Sequence, residues 1–166
     1  MLWIFDYIPY RIEKDSFPLE IALLNVNTQQ CHVFYIKYPN NYFNNFRAKI
    51  QHENHELQWK EDDETLYSAM FTVQKLVSCN NAQIIVNNWE KHDFLQRWFK
   101  NVLVFGSLTP PHIHYHNATP CSRHANNDEF CAKRQCIRLM LCYNDRIMYV
   151  NNPMSLMLEN FNKLKL

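Results

Sequence analysis

The hydrophobic pattern of this chain changes period several times, and each change marks an element. Residues 2–8, Leu-Trp-Ile-Phe-Asp-Tyr-Ile, are almost continuously apolar and rich in aromatic and β-branched side chains, which predicts a buried strand. Leu19–Asn27 and Gln30–Pro39 read as two further strands, joined by a hairpin turn at Asn27-Thr28-Gln29 and ended by Pro39. A polar, asparagine-rich stretch follows. In Asp62–Asn80 the apolar residues Leu66, Met70, Val73, Leu76 and Val77 recur at helical spacing, with Asp62, Asp63 and Glu64 at the dipole-favoured start. Ala82–Asn88 predicts a short buried strand, Trp89–Val102 a second helix, and Val102–Leu108 a last strand. Residues 109–120 hold three prolines and three histidines and predict a loop, and Asn127–Asp145 predicts a third helix. The amphipathic segment after Pro153 is expected to dock on or extend the domain, giving a domain over 1–150 and a C-terminal tail over 151–166.

Three strands, then helix, strand, helix, strand and helix describe an antiparallel meander that feeds βαβ units. The expected fold class is therefore α/β, a mixed β-sheet flanked by α-helices in the ribonuclease-H-like arrangement of DnaQ-type exonucleases. At 166 residues with 47% apolar content, the chain can bury roughly two-thirds of its unfolded surface without help from disulfides. Its formal charge of +1 means that any nucleic acid must be held by a local patch. The single glycine, Gly106, excludes Rossmann and Walker phosphate loops. No apolar run approaches the ~20 residues that cross a bilayer, and the short apolar N-terminus is interrupted by Asp6, so an intracellular protein with free or metal-bound thiols is expected.

An exonuclease of this architecture holds two metal ions with four carboxylates. The first strand supplies Asp6, but Ile8 stands where the second acid of an Asp-x-Glu pair belongs. Glu90 and Asp93 are out of register for the third acid, and Glu129, five residues after His124, fits the fourth loosely. An apolar side chain cannot ligate a hard cation, so this centre reads as degenerate.

Cysteine and histidine offer a different chemistry. The run Cys121-x2-His124-x6-Cys131 is half of a metal site, a nuclease signature, or the sulfur-rich entrance to a helix. Glu20, His55, His124 and Cys131 would suit tetrahedral zinc, with Cys121 as a rival ligand and Cys136 and Cys142 as core thiols. His52, His92, His112, His114 and His116 read as solvated loop or surface histidines.

The stretches Cys-Ser-Arg-His-Ala-Asn-Asn-Asp-Glu-Phe-Cys-Ala (121–132), Phe17–Asn27, Asn54–Trp59 and Ile84–Phe99 occur in the order of the Maelstrom domain family and resemble its motifs. The resemblance covers most of the chain. It implies a DnaQ-like fold stripped of its four acids, with a structural zinc ion on Glu20, His55, His124 and Cys131. It also implies binding of single-stranded RNA, weak RNA cleavage in some members, and work with small-RNA (piRNA) pathway proteins in transposon silencing, in cytoplasmic perinuclear granules and/or the nucleus. Arg123, Lys133, Arg134 and Arg138 near the third helix, with Lys91, Arg97 and Lys100 around Trp89 and Trp98, are the expected RNA contacts. An active metal-dependent 3′–5′ exonuclease and a protein-interaction scaffold are the alternatives.

Overall fold

The computed structural model describes residues 1–12, 15–37, 62–78, 82–105, 121–124 and 131–151. Among them a five-stranded mixed sheet carries three helices, and the strand order is β3-β2-β1-β4-β5. β1 (Leu2–Ile12) pairs antiparallel with β2 (Asp15–Asn25), and β2 pairs antiparallel with β3 (Cys31–Tyr35). On the other side β1 pairs parallel with β4 (Gln83–Val86), and β4 pairs parallel with β5 (Val102–Val104). This is the mixed α/β sheet that the element order predicts.

Helices cover both faces of the sheet, which explains why β1 reads as continuously apolar. By alternation Trp3, Phe5 and Tyr7 face α1 (Leu66–Val77) and α2 (Trp89–Gln96), where they pack with Met70, Val73, Ile84 and Leu95. Ile4 and Ile8 point to the opposite face, where Leu19, Ala22, Leu24, Cys136 and Met140 close a second core under α3 (Ala132–Asn151). Cys136 is a core thiol as expected: its Sγ donates to the carbonyls of Ala22 (3.5 Å) and Ile4 (3.7 Å), and burial raises it well above the usual thiol range.

Local chemistry sets the element ends. Asn25 Oδ1 accepts from the backbone N–H groups of Asn27 (2.9 Å) and Thr28 (3.2 Å), which folds the β2–β3 turn at the predicted place and puts Gln29 at φ 59°. Pro9 and Pro18 face each other across β1 and β2, where the register shifts, because neither can donate to the ladder. Thr65 caps α1 by accepting from Ser68 N, and Asn88 caps α2 by accepting from Lys91 N.

Asp62, Asp63 and Glu64 do not open α1 as the sequence pattern predicts. Glu64 instead forms a parallel bridge with Ile36, and Asp63 is buried. The tertiary partners of these residues outweigh the dipole preference. No helix among the described residues is long and apolar enough to cross a membrane.

The two-faced core yields a direct test. Leu23 is fully buried, so Leu23→Ala should cost about 2–5 kcal/mol in urea unfolding. Phe71→Ala, on the outer side of α1 at 49% exposure, should stay within about 0.5 kcal/mol of the parent.

Candidate metal centre

Four distant residues converge on the α3 side of the sheet. Glu20 comes from β2, Cys121 and His124 from one short turn, and Cys131 from the residue before α3. All four are buried, and their potential ligand atoms lie within 4.8 Å of one another. His124 Nε2 is 2.6 Å from Glu20 Oε2, Cys121 Sγ is 3.2 Å from the same oxygen, and Cys131 Sγ is 3.6 Å from Glu20 Oε1. Metal–ligand bonds of ~2.0–2.3 Å put the corners of a tetrahedron roughly 3.3–3.8 Å apart. The two thiol contacts to Glu20 lie close to that figure and the His124 contact is shorter, so this donor set could hold a metal ion once its side chains adjust.

Backbone groups fix the donors before any ion is considered. Ala132 N donates to Glu20 Oε1 (2.8 Å), so the first turn of α3 grips the carboxylate. Cys121 N donates to Cys131 Sγ (3.3 Å), and His124 N to Cys121 O (3.3 Å), closing the 121–124 turn. Hydrogen bonding between the two thiols raises Cys121, while the same bond lowers Cys131 to about 7. A carboxylate, two thiols and an imidazole gathered out of water form a site that a cation would stabilise.

Three of the four expected ligands, Glu20, His124 and Cys131, are brought together. Cys121 joins them as a fourth donor among the described residues, and His55 lies outside the described residues. The sequence signal for Cys121 is the Cys-x2-His spacing on a turn. Glu129 and the histidines at 52, 112, 114 and 116 also lie outside the described residues.

Among the described residues, the carboxylates considered for a nuclease do not gather. Asp6 is 2% exposed, whereas Glu90 and Asp93 sit on the exposed side of α2, with Asp93 beside His92 Nδ1 (3.1 Å). Asp6 Oδ1 accepts from Tyr7 N (2.6 Å) and from the Lys91 ammonium, which comes 85 residues later from the first turn of α2. Burial pushes the Asp6 carboxyl up, against the pull of Lys91. The pair borders a cleft of about 320 Å3 lined by Asp6, Ile8, Pro9, Asn87, Lys91 and Gln135 among others.

The basic residues are divided. Lys91 and Arg134 are buried, and Arg123 is paired with Asp63. Lys133 and Arg138 are half-buried on α3, and Arg97 and Lys100 are exposed after α2. Comparison of the chain with protein-family models, with curated proteins and with solved structures returned no match.

Two measurements follow from this geometry. Elemental analysis of the purified protein should find one metal ion per chain, lost on His124→Ala and on Cys121→Ala; retention in Cys121→Ala would remove that residue from the ligand set. Lys91→Met alone should destabilise the fold by about 3–5 kcal/mol, because it strands a buried carboxylate. Adding Asp6→Asn should recover much of that loss in a double-mutant cycle read by chemical denaturation.

Proposed function

We propose that this chain is a zinc-stapled, Maelstrom-like domain on a ribonuclease-H-like scaffold, and that it binds single-stranded RNA without a two-metal nuclease centre. Two antiparallel pairings followed by two parallel ones, with β1 central, support the scaffold reading. Two thiols, an imidazole and a carboxylate suit zinc better than calcium or magnesium, which take oxygen ligands. Four protein donors leave no corner of the tetrahedron for an activated water, so the ion would be structural.

Against a two-metal exonuclease stands the Lys91 ammonium on Asp6. A cation already neutralises the only one of the candidate acids on described residues that is buried in the cleft, and Ile8 beside it offers no oxygen.

The observation that carries RNA binding is on the outer face of α1. Tyr67 is 72% exposed, and Phe71 follows one turn later at 49%. Lys75 Nζ lies 4.4 Å from the Phe71 ring centroid, and the Trp98 ring is 6.1 Å from Tyr67, with exposed Arg97 and Lys100 close by in sequence. Open aromatic rings among cations are how single strands are held without sequence reading, at about 1–3 kcal/mol per stacked base. Aromatic side chains this exposed on one helix face also mark an interaction surface in general. Placement in a piRNA pathway rests on the Maelstrom resemblance.

A labelled single-stranded RNA incubated with the pure protein should be retained at low salt, with no trimming added by Mg²⁺ or Mn²⁺. The variant Tyr67→Ala/Phe71→Ala should weaken retention at least about tenfold, the value of one lost stack. Metal-stimulated trimming from the 3′ end, abolished by Asp6→Asn, would replace this reading with the exonuclease. Absence of any shift would replace it with the protein scaffold.

A further inference from the structure

Arg123 lies in sequence between two of the clustered donors, Cys121 and His124, yet its side chain is committed elsewhere. The guanidinium carbon stands 3.8 Å from the centroid of the Tyr35 ring, a cation–π contact, and Nη1 is ion-paired with Asp63 Oδ1. Both partners are shielded: side-chain exposure is 13% for Arg123 and 1% for Asp63. The Tyr35 backbone carbonyl accepts from Glu64 N (2.9 Å), and Lys37 N donates to Glu64 O (2.6 Å), which ties the segment carrying Asp63 to the end of β3. One tyrosine on the sheet therefore touches the Cys121–His124 turn through Arg123, and touches the support of Asp63 through its backbone.

We propose that Tyr35, backed by Arg123 and Asp63, is a positioning residue of the metal centre. It holds the 121–124 turn against β3, through the Arg123 stack and the Asp63 ion pair, so that Cys121 and His124 face Glu20. The proposal rests on the metal reading of the cluster. Groups outside the ligand set that orient ligands in this way change metal affinity about 10–100-fold when removed. The stack on Tyr35 also requires a planar guanidinium, so a lysine ammonium at position 123 is no substitute despite its equal charge.

The test uses the full chain loaded with zinc and competed against a chromophoric chelator. Tyr35→Leu removes the ring under Arg123, and it should weaken zinc binding about 10–100-fold. Arg123→Lys should shift affinity in the same direction. In cobalt-substituted protein, the thiolate-to-cobalt absorption of both variants should move relative to the parent while the stoichiometry stays at one ion. Parental zinc affinity and an unchanged cobalt spectrum in Tyr35→Leu and Arg123→Lys would overturn the positioning role and leave the metal site standing. A parent chain that binds neither zinc nor cobalt would overturn the metal reading, and this role with it.

Discussion

A carboxylate at zero exposure inside a sheet has to be compensated, and the arrangement around Glu20 is organised by that need. Its neighbours on β2, Leu19 and Ile21, are fully buried, and Ile8 faces it across the ladder, so β2 offers the charge no partner of its own. Compensation arrives from the far end of the chain: the N–H of Ala132, the imidazole of His124 and the thiols of Cys121 and Cys131. These contacts fasten the 121–124 turn and the start of α3 to β2. A metal ion at their centre would turn a set of hydrogen bonds into a single cross-link, and the energy of binding it would be in part energy of folding.

A second buried charge lies on the same face of β1. Asp6 meets a lysine ammonium, and a two-metal hydrolytic centre would instead place hard cations beside its carboxylates. An ammonium on a side chain neutralises a carboxylate and packs the cleft wall, but it cannot activate a water or bridge two oxygens. With Glu90 and Asp93 turned outward, the three candidate acids on described residues do not assemble.

The outer surface of α1 completes the picture. Its inner side, Met70 and Val73, is fixed by the core, while Tyr67, Phe71 and Lys75 face outward. Two aromatic rings left in water lower solubility and add nothing to the core, so an exposed aromatic and cationic face is understood best through what it meets. A helix anchored by Ala69, Met70, Val73 and Val77 is a suitable platform for it. The Glu20, Cys121, His124 and Cys131 cluster lies across the sheet, under α3, on the face opposite this aromatic surface.

Local pattern was enough for much of this. Period and β-branching marked the strands, helical spacing marked α1, and the asparagine-rich turn after β2 was visible because Asn25, Asn27 and Thr28 act on their own backbone. The spacing of Cys121, His124 and Cys131 showed half of the metal centre for the same reason, since those residues are neighbours in the chain. What stayed hidden involves partners far apart in sequence: Cys121 with Glu20 across 101 residues, Lys91 with Asp6 across 85, and Arg123 with Asp63 across 60. Charge and spacing read Lys91 and Arg123 as RNA contacts and Asp63 as a helix-start acid, because ionised side chains are ordinarily solvated. Only the closed tertiary fold, by removing water from each of these groups, decided which charge had to meet which.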